Sequence, residues 1–265
     1  MNYTFGFIGV GNMGGALAAA AKKGNADFSA ILSDMNTKKA DSLANELGCV
    51  SGDTKSVAET AKYIFLGVKP QVIGAVIDEI SPILDTRDDR FVLVSMAAGV
   101  AIDKISRGKY PVIRIMPNVA ASVGEAMILC AKNGFVTDGE IAEFNRLMSK
   151  AGKITELDEK MFDAGCALSG SGPAYVFMFI EALADGAVAC GLPRDKAVDF
   201  AVQTVLGSAK LMQETGRHPG DLKDSVCSPA GTTIAGVGAL ENGGFRAATI
   251  DAVKAAYNRS IELGK

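Results

Sequence analysis

With 265 residues, 48% of them hydrophobic and 22% charged, the chain has the composition of a folded globular protein on the border between one domain and two, which excludes wholesale disorder. A net charge of −3, with no run of five or more lysines and arginines, excludes the basic stripe of a nucleic-acid binder and a polybasic membrane patch. The five cysteines (Cys49, Cys130, Cys166, Cys190 and Cys227) are scattered without a C-x-x-C pair, so they read as reduced, buried thiols and not as disulfides or zinc ligands, and no metal site is expected. Met1–Thr4 runs straight into a strand without a basic leader, and no uninterrupted apolar stretch approaches the ~18 residues of a membrane span; the expected compartment is the cytoplasm.

In chain order, Phe5–Val10 reads as a buried strand and about Asn12–Lys23 as a helix. Ala30–Ser33 follows as a second strand, and Thr37–Leu47 as a helix capped by Asn36 or Thr37 and stopped by Gly48. Tyr63–Val68, Phe91–Ser95 and Val112–Met116 are further strands, with a helix from about Gln71 after the first of them. Hydrophobicity in these strands is continuous, as a sheet covered on both faces requires. The alternation predicts a parallel, doubly wound, Rossmann-like α/β domain over residues 1–158. From Asp158 the texture changes: Pro173–Cys190, Arg194–Glu214 and Phe245–Leu263 are Ala/Gly-rich helical patterns, predicting an all-α domain over 159–265. Small residues on helix faces suit close packing in a bundle or an intertwined dimer, and dimerisation is the expectation.

Gly9-Val10-Gly11-Asn12-Met13-Gly14 matches G-x-G-x-x-G between the first strand and the first helix. Gly9 allows the tight turn, Gly11 lets backbone approach a pyrophosphate, and Gly14 lets the helix lie close to the strand; the helix N-terminus faces the phosphates. Asp34, 20 residues after Gly14, stands where an acid would hold the ribose hydroxyls of NAD and repel a 2′-phosphate. Asn36, Lys38 and Lys39 follow and offer groups to a phosphate; the alternative for the lysines is a solvated helix face.

The sequence has one histidine and no tryptophan. His218 precedes Pro219 in a turn and reads as a structural or surface residue, so a histidine relay of the alcohol-oxidising kind lacks its parts. Reducing a cationic C=N bond needs mainly a positioned hydride and an anion site, which backbone N–H groups at a helix start supply. Ser228-Pro-Ala-Gly-Thr-Thr233, ahead of the helical run Ile234–Glu241, offers such a start: Pro229 blocks the preceding helix, Gly231 permits an unusual backbone angle, and three hydroxyls cluster. The alternative is simply a well-capped helix. A second turn, Leu168-Ser-Gly-Ser-Gly-Pro-Ala-Tyr175, opens what the pattern presents as the longest helix.

Asp221–Ile234 with Ala239-Leu-Glu241 resembles the signature of the pyrroline-5-carboxylate reductases. So do Val68-Lys-Pro-Gln71, Ser95-Met-Ala-Ala-Gly99, Arg114-Ile-Met-Pro-Asn118, the Leu168–Tyr175 turn and Gly243-Gly-Phe-Arg246, in order and spanning essentially the whole chain. The resemblance implies hydride transfer from NAD(P)H to the C=N carbon of 1-pyrroline-5-carboxylate, giving L-proline, the last step of proline biosynthesis. It implies a homodimer with interlocked helical halves, often assembled further into a decamer. By position, Ser228, Gly231, Thr232 and Thr233 would bind the substrate carboxylate, with the Thr233 hydroxyl the catalytic candidate beside the ring nitrogen. Val68, Lys69, Pro70, Ala97 and Asn118 would line the cofactor, joining Gly9, Gly11, Asn12, Met13, Gly14, Asp34, Asn36 and Thr54. NADP(H) is the cofactor the resemblance implies. Three departures stand out. Asp34-Met35-Asn36 replaces an Asp-Arg-Asn common in bacterial members, removing an Arg clamp for the 2′-phosphate and leaving NAD(H) open. Met116-Pro-Asn-Val-Ala120 replaces Met-Pro-Asn-Thr-Pro, and Thr54 stands where Asn is common.

Overall fold

The computed structural model describes residues 3–263. Apolar runs too short for helices become the strands of one eight-stranded sheet of order β3-β2-β1-β4-β5-β6-β7-β8. These strands are β1 (Tyr3–Ile8), β2 (Ala30–Ser33), β3 (Val50–Ser51), β4 (Ala61–Leu66), β5 (Val92–Ser95), β6 (Val112–Met116), β7 (Ala126–Lys132) and β8 (Gly152–Glu156). Between them run α1 (Asn12–Gly24), α2 (Thr37–Leu47), α3 (Thr54–Thr60), α4 (Ile73–Leu84), α5 (Ile102–Ser106) and α6 (Asp138–Leu147). Alternate strand residues feed two cores: Phe5, Phe7, Tyr63, Phe65, Val92 and Val94 pack on one face. Ile8, Ile64, Leu66, Leu93 and Val112 pack on the other. Burial on both faces is why the strands lack polar alternation.

The strands from β3 through β6 pair in parallel, but the expectation of a wholly parallel sheet is corrected at its far edge. β7 runs antiparallel to β6, with Met116 opposite Leu129, and β8 is parallel to β7. The reason lies in the β6–β7 connection, a short 3₁₀ turn over Val119–Val123, too brief for the crossover a parallel neighbour needs. Strands β1 and β4 also end two residues earlier than predicted, at Ile8 and Leu66, each just before a glycine.

After β8 the described residues are helical: α7 (Phe162–Ser169), α8 (Gly172–Ala189), α9 (Arg194–Thr215), α10 (Pro219–Ser225), α11 (Thr232–Asn242) and α12 (Phe245–Leu263). The longest is α9, with 22 residues, and not α8, with 18, as the sequence pattern had suggested. The chain forms two compact units: one runs to Gly170 and takes in the stretch from Tyr257, and the other is Ser171–Ala256. Composition changes at Asp158, whereas α7 belongs with the first unit. In the second unit α8 and α9 meet through Ala184, Ala197 and Ala201, small residues that let the helices approach closely. Much of the apolar surface there is uncovered in the single chain, including Phe177, Met178, Phe200, Leu206 and Ile250. The stretch Glu159–Ala189 is long and apolar enough, by length and composition only, to cross a membrane.

Candidate active site

The strand order reverses between β1 and β4, and the crevice at their carboxyl ends is where doubly wound sheets hold ligands. Two glycines face each other there. Gly9 takes φ +94°, a conformation side chains rarely adopt, and a Cβ on it would come within 2.7 Å of Gly67. A Cβ on Gly14 or on Gly67 would overlap the Gly9 carbonyl oxygen. Around Gly11, by contrast, a Cβ would meet nothing within 4 Å, so its exposed face is open to a ligand. Gly11 is also the N-cap of α1 without a side-chain cap, and Gly15 N–H is bonded back to its carbonyl at 2.8 Å. The N–H groups of Asn12, Met13 and Gly14, in the first turn of α1, therefore lack intrahelical acceptors. This arrangement fits a dinucleotide pyrophosphate.

Asp34 closes the other side of the turn. Its Oδ2 accepts the Val10 N–H and its Oδ1 accepts the Asn36 N–H, each at 2.9 Å. Asn36 caps α2 by accepting the Lys39 N–H at 3.3 Å. An adjoining cleft of about 480 Å³ is lined by Ser33, Asp34, Met35, Asp41, Asp53 and Thr54, among others. No lysine or arginine lines it. Asp41 accepts the Ser51 hydroxyl at 2.6 Å, and Asp53 caps α3 through the Ser56 N–H at 2.7 Å. These bonds from Ser56 hold the Asp53 carboxyl below the ordinary carboxylate range. Met35 projects fully into solvent at the rim.

The remaining predicted cofactor residues follow strands β4, β5 and β6. Val68 is half-buried against the core, Lys69 is exposed, and Pro70 opens a 3₁₀ turn that leads into α4. Ala97 is buried at 1% exposure and packs in the same core as Ile8, Ile64 and Leu66. Asn118 is engaged at both ends: Nδ2 donates to the Ser169 carbonyl at 2.9 Å and Oδ1 accepts the Ala120 N–H at 3.2 Å.

Ser228, Gly231, Thr232 and Thr233 belong to the other unit, at the start of α11. The unusual backbone angle expected at Gly231 is instead carried by Ala230, with φ +56°. Gly231 is extended, with φ −80° and ψ 171°, and caps α11 without a side-chain bond. Its lack of a Cβ matters for space, since a Cβ would overlap the Ser228 hydroxyl oxygen. Gly231 N–H is bonded to the Ser228 carbonyl at 3.0 Å, and Ala235 is the first amide to reach back, to Gly231 at 3.3 Å. The Thr232, Thr233 and Ile234 N–H groups thus form a donor set beside three exposed hydroxyls, which suits a carboxylate.

His218 is exposed, and its Nδ1 accepts the Gly220 N–H at 3.1 Å, capping α10. The sequence reading missed Gly67, whose signal is a glycine interrupting an apolar strand. It also missed Asp41 and Asp53, which no spacing rule ties to the cleft.

Residues 159–263 match the family described as pyrroline-5-carboxylate reductase dimerisation, and residues 4–99 match that described as NADP oxidoreductase, coenzyme F420-dependent. A pyrroline-5-carboxylate reductase of Synechocystis is 43% identical, with both chains covered in full. The structure of the Coxiella burnetii pyrroline-5-carboxylate reductase superposes with a TM-score of 0.91 at 31% identity, all of each chain covered. That of the Plasmodium falciparum enzyme, with NADP bound, gives 0.87 at 30% identity, covering 100% of this chain and 99% of that one. Similarity of this extent, over a chain that carries both the glycine turn and the α11 donor set, places the protein in the pyrroline-5-carboxylate reductase family.

Proposed function

We infer that the chain reduces 1-pyrroline-5-carboxylate to L-proline, and that the donor set at the start of α11 is what selects this substrate. A bound reduced nicotinamide supplies the hydride. Ser228, Gly231, Thr232 and Thr233 hold the carboxylate through backbone N–H groups and hydroxyls. The Thr233 hydroxyl faces the ring nitrogen, which needs a hydrogen-bond partner as the imine becomes an amine. No general base is required, because the reacting bond starts electron-poor. The observation that carries this reading is the N-terminus of α11, without a side-chain cap, where the Ser228 hydroxyl takes the space a Cβ on Gly231 would need. A steady-state assay tests it: the purified protein should oxidise NAD(P)H only when the pyrroline is present and form one proline per cofactor. Cofactor oxidation without proline would overturn it.

Gly9, Gly11, Asn12, Met13 and Gly14 seat the pyrophosphate, and Asp34, Asn36 and Thr54 meet the adenosine ribose. Val68, Lys69, Pro70, Ala97 and Asn118 form the nicotinamide end. NADP(H) remains the family's cofactor, and the Plasmodium relative holds NADP. Here three carboxylates and no cation line the ribose cleft, which favours a neutral 2′-hydroxyl over a phosphate dianion. We therefore propose that the chain uses NADH as well as NADPH.

The assembly proposed is a homodimer built through residues 159–263, with a decamer as its higher form. The uncovered apolar faces of α8, α9 and α12 support it, being too extensive for a monomer surface. A membrane is a poor occupant of α8, because Glu181 and Asp185 stand within its apolar stretch. Light scattering in the absence of detergent distinguishes the two. The proposed compartment is the cytoplasm, where the five thiols stay reduced.

A further inference from the structure

Among the described residues, two with side chains take left-handed backbone angles, Arg107 at φ +49° and Ala230 at φ +56°. Arg107 has an ordinary reason, since it closes α5 and helices commonly end in this conformation. Ala230 ends no helix. α10 stops at Ser225 and α11 starts at Thr232, and Ala230 lies in the link between them.

The link closes as a four-residue turn, Ser228-Pro229-Ala230-Gly231, in which the Gly231 N–H donates to the Ser228 carbonyl at 3.0 Å. The Pro229 ring fixes a negative φ at the second position, and Ala230 supplies a positive one at the third. That pair of signs defines a type II turn, whose third position ordinarily takes glycine because a Cβ is crowded there. The turn does contain a glycine, but one place later. Gly231 is extended and is required for space, since a Cβ on it would overlap the Ser228 hydroxyl oxygen. The alanine is left to carry the angle, at a cost that glycine would avoid.

A turn of this kind has a close conformational neighbour. Rotating the single peptide plane between Pro229 and Ala230 by about 180° turns type II into type I and makes φ negative at the third position. The first and last residues stay nearly in place and the Ser228–Gly231 hydrogen bond survives. The Pro229 carbonyl and the Ala230 N–H, however, exchange faces of the turn. Glycine at position 230 would favour the observed form, whereas alanine brings the two forms close in free energy.

We propose that Ala230 is a positioning residue for the substrate: its left-handed form is the binding-competent one, in exchange with a type I form that binds poorly. The proposal rests on the reading that Ser228, Gly231, Thr232 and Thr233 hold the pyrroline carboxylate. Both forms keep those residues, but they differ in whether a carbonyl dipole or an N–H stands on a given face of the turn beside an anion site. Apparent affinity is the intrinsic affinity reduced by the fraction of molecules in the competent form. Ala230 therefore sets KM through its backbone and not through a contact of its methyl group.

Ala230→Gly removes the crowding and should lower KM for the pyrroline by roughly fivefold, with kcat within about twofold of wild type and cofactor Kd unchanged. Ala230→Val, whose branched side chain fits the left-handed region worse, should raise KM by roughly tenfold. The calorimetric Kd for L-proline, the product, should move in the same directions, a readout that needs no turnover. A crystal structure of Ala230→Val should show a negative φ at position 230 and the peptide after Pro229 reversed. KM and Kd unmoved by both substitutions, in a wild-type protein that reduces the pyrroline, would overturn the role of Ala230 and leave the substrate reading standing. A loss of kcat and Tm in Ala230→Val with KM unchanged would also overturn that role. Wild-type protein that neither reduces the pyrroline nor binds L-proline would overturn the substrate reading, and the role of Ala230 with it.

Discussion

The Asp34 carboxylate accepts the backbone N–H of Val10 at 2.9 Å, tying the end of β2 to the middle of the glycine turn. One residue thus shapes the pyrophosphate seat and borders the ribose cleft. Asp34→Asn keeps an accepting oxygen for Val10 while removing the charge, so the ratio of kcat/KM for NADPH over NADH should rise with the fold intact. Asp34→Ala loses the tie as well, and affinity for both dinucleotides should fall by roughly tenfold, about 1.4 kcal/mol. Fluorescence titration of each cofactor checks both.

Met35 stands at the rim of a cleft with three carboxylates and no cation. Met35→Arg introduces a planar donor fork suited to a 2′-phosphate and should raise the NADPH preference by about tenfold. An unchanged ratio in paired steady-state assays would remove this residue from cofactor choice.

Gly11 and Gly14 should fail in different ways. A methyl on Gly11 meets no protein atom within 4 Å, so Gly11→Ala should fold normally and lose dinucleotide affinity. A methyl on Gly14 collides with the Gly9 carbonyl, so Gly14→Ala should lower stability by about 1–3 kcal/mol. Thermal melts with and without cofactor separate the two cases.

Thr233→Ala should reduce kcat by roughly 10–100-fold, the span expected for one hydrogen bond of about 1.5–3 kcal/mol. Cofactor affinity should stay constant. Loss of cofactor binding instead would move Thr233 out of the substrate site.

Acid stability depends on α6. Burial opposes ionisation of Glu140, but hydrogen bonds from Arg90 and Thr137 outweigh it and hold its pKa below the ordinary range. Because the folded value is depressed, the carboxylate stabilises the protein above the ordinary pKa of about 4.3, and the contribution is lost as pH falls through the folded value. Glu140→Gln should lose about 1–3 kcal/mol near neutrality and flatten the fall of Tm on acidification.

The dinucleotide half was legible because strand, turn and helix each leave a local signal: continuous apolar runs, three glycines at fixed spacing and an Asn36/Gly48-bounded helix. β7 and β8 were not singled out, although Ala126–Lys132 is an apolar run, and the antiparallel direction of β7 depends on the length of the connection after Met116, which no periodicity reports. The backbone strain at Ala230 was assigned to Gly231 because sequence favours glycine wherever a turn bends. In fact Gly231 is needed for its missing Cβ beside Ser228. Asp163 and Ser260 are far apart in sequence, and only the folded chain brings the Ser260 hydroxyl to the Asp163 carboxylate.

The most direct measurement is the fate of the hydride. With 4-deuterated NADPH or NADH and 1-pyrroline-5-carboxylate, the proline formed should carry deuterium on the ring carbon of the former C=N bond, one per cofactor oxidised. Proline without deuterium at that carbon, or no proline at all, would contradict the account.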